Sequence, residues 1–329
     1  MAAALGAIFS SNPFYDAAAY KHSVATVPNG LLERVAAPNS VPLDVVHLFG
    51  TPRERGLAHG QLLSAPLLHF VNVQLPTFYE QEVEGLDLSK LPTWLQAAIR
   101  QLGAKHATKV FELALQWLGG VQFEYNVASA AAVYEEIDAI AEGACGVGAC
   151  NATELAATLR QVNVLSDLIR MQCSMLGAWG GATPDGHLLQ LRSLDFGGGP
   201  FANATVLLVH HLATSATDDD GAPPSEPFAA LSWPGFAGVI TGFNPRLSLS
   251  EKVNDVHGGG TPPGTYRTPT RGSSPGTRSR ASSSTHSTLF GPDVGADGQT
   301  TALVMRDALQ FSRGSKEEAV RLMQAAHRT

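Results

Sequence analysis

NATELAATLRQVNVLSDLIRM (151–171) and CSMLGAWGGATPDGHLLQLRSLDF (173–196) meet where the spacing of the apolar residues changes. The first stretch has the period of about 3.6 that is typical of an amphipathic helix, and the second has the period of two that is typical of a strand. Helical spacing also extends back to about residue 66, whereas the strand pattern recurs, separated by turn signals, up to about residue 253. A helix-rich half followed by a strand-rich half predicts the α+β class.

The chain divides into four parts on this pattern. They are a helix-rich part that also holds three short strands near its start (1–172), a strand-rich part (173–257), a low-complexity segment (258–288) and a helical continuation (289–329). The third part is rich in Gly, Pro, Ser, Thr and Arg and lacks an apolar period, so we expect it to be disordered. It is either a true linker or an artefact such as a translated intron.

Composition restricts the partners. The chain has 329 residues, of which 44% are hydrophobic, and this allows a large core in one or two domains. Its formal net charge is a modest −7. No basic stripe with interleaved aromatic residues is present, which argues against nucleic acid as a partner. No run approaches the roughly 18 apolar residues of a membrane span, and the apolar N-terminus lacks the basic start of a regular signal peptide.

Three cysteines are present, two of them close together. Cys145 and Cys150 lie in the Gly-rich stretch EGACGVGACN, where either a small disulfide or half of a zinc site is conceivable, although no second ligand pair supports zinc. Two Asn-x-Thr sequons, at Asn151 and Asn203, would be glycosylated if the chain entered the secretory route. Cys173 remains as the odd cysteine.

Cys173 has two interpretations. A cysteine at the head of an apolar strand is usually a packing residue. A catalytic thiol needs a base or a positive field, and cleavage of the Gln172–Cys173 bond would supply a base, because the new α-amine has a pKa of about 7.7–8.0. Arg192 and Asp195, at the far end of the predicted hairpin, are then either catalytic or a structural ion pair.

Further segments carry a family resemblance. CSMLGAWGGATPDGHLLQLRSLDF is similar to the mature start of N-terminal-cysteine amidases, which share a Cys, a hairpin and an Arg-x-x-Asp motif. Four other segments resemble the acyl-coenzyme A:6-aminopenicillanic acid acyltransferase-like family, in its acid-ceramidase-like branch. They are RERGLAHGQLL (53–63), EEIDAIAEGACG (135–146), PGFAGVITGFNPRLSLSEKV (234–253) and ALVMRDALQFSRGSKEEAVRLMQAAHRT (302–329).

The resemblance implies a four-layer αββα fold, with two antiparallel sheets between helix layers, that is incomplete at the C-terminus. It implies a Cys173 nucleophile, an Asp195 that holds the α-ammonium, an Arg192 that favours the thiolate and an Asn244 that serves the oxyanion. The expected activity is hydrolysis of a linear acyl amide (an N-acyl amino acid, peptide or N-acyl lipid), without metal or organic cofactor, after self-cleavage at Gln172–Cys173.

Alternatives remain. The same chemistry allows acyl transfer to an amine, and an incomplete fold would instead be an inactive relative or a lipid-binding module. We expect the two cleavage products to stay associated, and a lysosomal or extracellular location. His59 is more simply a structural helix residue, and His210-His211 a strand end before an acidic loop rather than a metal site. The G-x-S-x-G match at Ser274 lies in the low-complexity segment and is rejected.

Overall fold

The computed structural model describes residues 21–36, 41–84, 93–102, 106–146, 148, 150–168, 173–194, 201, 203–212, 225–251 and 299–326. Within these ranges the chain is of the α+β class, as the change of period predicts: helices fill the stretch between the third and fourth strands, and strands dominate from Cys173 onward. The low-complexity segment 258–288 lies outside the described residues.

The strands form one large sheet and one separate ribbon. The large sheet has the order β1-β2-β3-β6-β7-β8-β9, and β4 pairs only with β5. Their bounds are β1 Lys21–Val27, β2 Gly30–Val35, β3 Leu43–Gly50, β4 Cys173–Gly180, β5 Gly186–Leu194, β6 Val206–Leu212, β7 Phe228–Ser232, β8 Thr241–Phe243 and β9 Ser248–Ser250.

One strand pairing differs from the expected antiparallel sheets. β3 and β6 run parallel, with Val46 opposite Leu208, whereas all other pairs are antiparallel. Parallel neighbours need a long crossover, and here the helices and the ribbon lie between the two strands in sequence. The pairing joins a strand that precedes Cys173 to one that follows it.

Nine α-helices are described. They are α1 Pro52–Leu62, α2 Ser64–His69, α3 Leu75–Glu84, α4 Thr93–Leu102, α5 Ala107–Asn126, α6 Ala131–Cys145, α7 Ala152–Leu168, α8 Thr301–Phe311 and α9 Lys316–Ala325, with a π-helical turn at Phe70–Gln74 between α2 and α3. Thr51 caps α1 with its hydroxyl and Glu54 returns the bond, as the Thr51-Pro52 start predicts. None of the described helices has the length and hydropathy of a membrane span.

Helices α1 and α6 cross at unusually short range. A Cβ placed on Gly56 would lie 2.3 Å from the Glu136 carbonyl oxygen, and one on Gly60 would lie 2.1 Å from that of Ile140. From the other side, a Cβ on Gly143 would lie 2.3 Å from the Leu57 carbonyl oxygen. The glycines of RERGLAHG and EEIDAIAEG therefore let two backbones touch, which larger residues would prevent.

A buried carboxylate lies beside this crossing. Glu136 of α6 is fully buried, and its Oε2 accepts hydrogen bonds from Arg55 Nη2 of α1 at 2.9 Å and from Arg306 Nη2 of α8 at 2.6 Å. Burial opposes ionisation, but the charges of Arg306 and Arg55 outweigh it and hold the pKa of Glu136 well below its usual range. Three helices thus share one ionised group.

Two buried histidines complete this region in their neutral form. His59 Nε2 accepts a hydrogen bond from the Gly235 backbone N–H at 3.0 Å, so α1 is tied to the turn before β8. Burial lowers the pKa of His59 to about 4, against the attraction of Glu136. His210 stacks on Phe228, and burial lowers its pKa well below the usual value too. His59 therefore has the structural role that the sequence favours.

Replacing Glu136 by Gln should destabilise the fold strongly. The change leaves two buried guanidinium groups without a counter-charge, and breaking such a pair typically costs about 3–5 kcal/mol in the free energy of unfolding. Chemical denaturation measures the loss. The matched control is Glu142→Gln on the same helix, which removes only the exposed contact with Arg53 and should change little. Equal effects of the two substitutions would contradict the role given to Glu136.

Acid should destabilise the protein through His59. Its folded pKa of about 4 lies below the unfolded value of 6.5, so the unfolded chain binds the extra proton between these values. Stability is therefore lost as the pH falls from 6.5 towards 4. His59→Gln, which keeps an acceptor for Gly235, should flatten the slope by about 1.4 kcal/mol per pH unit. Unfolding free energies across this range test it, with exposed His22→Gln as control; an unchanged slope in His59→Gln would refute it.

Candidate active site

Cys173 is the first residue of β4, where it pairs with Leu194 at the end of β5. Its side chain is buried, with 7% of the residue exposed. Cys145 and Cys150 form a disulfide at the end of α6, with Cα atoms 4.7 Å apart. Cys173 is the one cysteine outside this disulfide, so the chain carries a single thiol.

Arg192 contacts this thiol directly. Its Nη2 donates to Cys173 Sγ at 2.9 Å. The contact follows from the strand register: Arg192 lies opposite Met175, two residues from Cys173 on the same face, and such diagonal neighbours are within reach of a long side chain. A guanidinium group at this distance stabilises the thiolate relative to the thiol.

Arg192 makes no ion pair with any carboxylate of the described residues, and its buried Nε has no hydrogen-bond partner among them. Its positive charge is therefore directed at the sulfur and is not cancelled by a described neighbour. Asp195 and Gln172, the other residues assigned to this centre from the sequence, lie outside the described residues.

Asn244 is engaged elsewhere. Its Nδ2 donates to Glu226 Oε2 at 3.1 Å and to the Leu309 carbonyl at 3.0 Å, and its Oδ1 accepts from the backbone N–H groups of Arg246 and Leu247. These bonds close the turn between β8 and β9 and attach it to α8. Both amide protons are used, so donation to an oxyanion would require one of these bonds to break. The oxyanion role remains a prediction.

The histidine pair at the end of β6 does not form a joint site. Successive strand residues point to opposite faces. His210 accordingly faces Glu136, while His211 stacks on Phe49 and contacts His47 Nδ1 through its Nε2 at 3.0 Å. Burial, followed by the effect of His47, lowers the pKa of His211 to about 4. Over the described ranges no three His, Cys, Asp or Glu side chains group as metal ligands.

Both sequons are placed by the structure. Asn151 precedes α7, and its Oδ1 accepts from the backbone N–H groups of Thr153 and Glu154, while its side chain is exposed. Asn203 is exposed as well. Because a glycan is attached to the amide nitrogen, the Asn151 cap and a glycan are compatible.

The residues around Glu136 are the part of the structure that sequence reasoning missed. Arg55, Glu136 and Arg306 lie inside the segments that carry the family resemblance, yet none was singled out. Asn163 was missed too: it is buried on α7 and binds the backbone of residues 235–238 through three hydrogen bonds, with a fourth to the Leu159 carbonyl of its own helix. A charged or amide side chain between strongly apolar neighbours on a helix is the signal that points to such groups.

Comparison with known proteins identifies two relatives and no family model. Protein dcd1A of Dictyostelium discoideum is 32% identical over 229 residues, which cover 68% of this chain and 47% of that protein. Protein dcd1B of the same organism is 28% identical over 254 residues, covering 75% of this chain and 43% of that protein. The chain thus spans about half the length of the curated relatives it matches.

Proposed function

We propose that the protein is a self-processing amidase whose nucleophile is Cys173 after release as an N-terminal residue. The observation that carries the proposal is the 2.9 Å contact between Arg192 Nη2 and Cys173 Sγ at the first position of a strand. A buried packing cysteine has no need of a guanidinium partner, whereas a nucleophilic cysteine gains from one because the thiolate is the reactive form.

Self-processing would use the thiol first on its own chain. Sγ adds to the carbonyl carbon of Gln172, and the bond from that carbon to the Cys173 nitrogen breaks, which leaves a thioester and a free α-amine. Water then hydrolyses the thioester to a Gln172 carboxylate and restores the thiol. No oxidant or cofactor enters this balance.

In turnover the α-amine would take the thiol proton, and the thiolate would attack the carbonyl of the acyl amide. The tetrahedral intermediate expels the amine, which leaves with the proton from the α-ammonium, and water hydrolyses the acyl thioester. Arg192 favours the thiolate electrostatically. Asp195 is the proposed partner of the α-ammonium, and Asn244 is the proposed oxyanion donor. If an amine intercepts the thioester instead of water, the same centre acts as an acyltransferase.

The proposed fold is the four-layer αββα arrangement with the β4–β5 ribbon as the start of a second sheet. Gln190 of the ribbon hydrogen-bonds to Ser250 of β9, which supports a position of the ribbon against the large sheet. Both faces of the ribbon expose large apolar side chains, as expected of strands that pack between layers. They are Met175, Leu176, Trp179, Leu188, Leu189 and Leu191.

The cleavage products would stay associated. The parallel pairing of β3 with β6 and the salt bridges of Glu136 with Arg306 each join a residue before Cys173 to one after it. The substrate class we propose is a linear acyl amide, with a small-molecule or lipid acyl group.

We further propose that the protein passes through the secretory route. The Cys145–Cys150 disulfide supports an oxidising compartment, and the exposed Asn151 and Asn203 suit glycosylation. Of the two destinations expected from the sequence, the extracellular one is favoured by the neutral buried histidines. The low pH of a lysosome would promote protonation of His59 and His210 and so destabilise the fold.

Cleavage should depend on the Cys173 thiol. Purified wild-type protein should yield a fragment that begins at Cys173 in intact-mass spectrometry, whereas Cys173→Ala should remain full length and inactive on acyl amides. Ser174→Ala, at the exposed next position, is the matched control and should still be cleaved. A full-length wild-type chain that does not react with thiol reagents would refute the enzyme and favour an inactive or lipid-binding relative.

Arg192 should lower the pKa of the Cys173 thiol. Arg192→Gln removes the positive charge beside the sulfur, so the pKa of the Cys173 thiol should rise. Each unit of that rise should lower the thiolate fraction at neutral pH by roughly tenfold. Because the other cysteines are in a disulfide, ultraviolet absorbance of the thiolate against pH measures this one group. Arg192→Lys, which keeps the charge, should fall between wild type and Gln. Identical titration curves would show that the contact is only structural.

A further inference from the structure

A cavity of about 340 Å³ opens between the start of α1, the start of α6 and α8. The exposed residues Thr51, Ser129 and Ala132 lie at its rim, whereas Arg55 and Arg306, which also line it, are buried. Its volume lies at the lower end of the range for small-molecule sites. Neither Cys173 nor Arg192 lines it, so the cavity is separate from the candidate active site.

The two arginines that line the cavity carry more positive charge than the carboxylate of Glu136 can neutralise. Arg55 and Arg306 share Glu136, which does not line the cavity, so two guanidinium groups and one carboxylate leave one positive charge whenever Asp307, the acid of the lining, is protonated. A buried charge without compensation is strongly unfavourable. In addition, the buried Nε of Arg306 has no hydrogen-bond partner in the described parts of the chain.

Helix α6 adds to this field. Its first turn lines the cavity at Ala132 and Val133, and no side chain caps its N-terminus at Ala130. The N–H groups and the dipole of a 15-residue helix therefore favour negative charge at the same place as the two guanidinium groups.

Asp307 is the titratable acid of this cavity. It makes no ion pair with Arg55 or Arg306 within the described chain, and burial raises its pKa to about 6, against the opposing effect of Arg306. The charged groups that face it across the cavity are Arg55 from α1 and Arg306 from its own helix; the lining residues of α6, Leu212 and Ser225 do not titrate. Protonated Asp307 leaves the positive field uncancelled and supplies one more hydrogen-bond donor.

We propose that this cavity binds a small carboxylate, whose oxygens accept hydrogen bonds from Arg306 and Arg55 and, while it is protonated, from Asp307. Guanidinium groups match the planar carboxylate, which a spherical anion does not. The carboxylate comes either from a simple organic acid or from an amino acid, whose ammonium group would then pair with ionised Asp307.

The test is titration of the purified protein, with both cleavage products present, with acetate and with glycine, followed by calorimetry and saturation-transfer NMR at constant ionic strength. Acetate should bind below pH 6 and lose affinity by about tenfold for each pH unit above it, because only protonated Asp307 accommodates it. Asp307→Asn should remove that pH dependence. Tighter binding of glycine than of acetate above pH 6 identifies an amino acid as the source.

Two neighbouring alanines provide the steric control. Ala131 and Ala132 are both exposed in the first turn of α6, but only Ala132 lines the cavity. Ala132→Phe should abolish binding, and Ala131→Phe should leave it intact. Absence of binding by both probes, equal competition by chloride, or equal effects of the two phenylalanines would overturn the proposal.

Discussion

The buried carboxylate of Glu136 is the constraint around which the described structure is organised. It receives hydrogen bonds from helices α1 and α8, on either side of Cys173 in sequence, and lies 3.6 Å from His210 of β6. Removal of this carboxylate would leave two buried guanidinium groups without their counter-charge. The close crossing of α1 and α6, made possible by Gly56, Gly60 and Gly143, holds the carboxylate in place.

The four segments that carry the family resemblance beside the hairpin meet at this centre. The first supplies Arg55 and His59, the second supplies Glu136, and the fourth supplies Arg306. The third contributes backbone: the Ala237 carbonyl accepts from Arg306, and the Gly235 N–H donates to His59. These segments therefore share one structural centre, whereas contact with the thiol comes from the hairpin.

Local features of the fold were predictable from the sequence, and non-local ones were not. The turn at Asn29 (φ 57°), the Thr51 cap and the β4–β5 hairpin depend on residues a few positions apart. The parallel β3–β6 pair depends on a crossover of over a hundred residues, which no short pattern encodes. Arg306 follows the apolar run Ala302–Met305, and Glu136 precedes Ile137. At such positions helical periodicity predicts that a charged side chain faces solvent, but both side chains are buried.

The buried arginines and Arg192 have partners of different kinds. Arg55 and Arg306 are held by a carboxylate and by backbone carbonyls, and they hold helices together. Arg192 lies on a ribbon outside the large sheet, is only partly buried, and meets sulfur instead of a described carboxylate. A guanidinium group at this distance favours the thiolate over the thiol, which is the contribution that the proposed mechanism requires of Arg192.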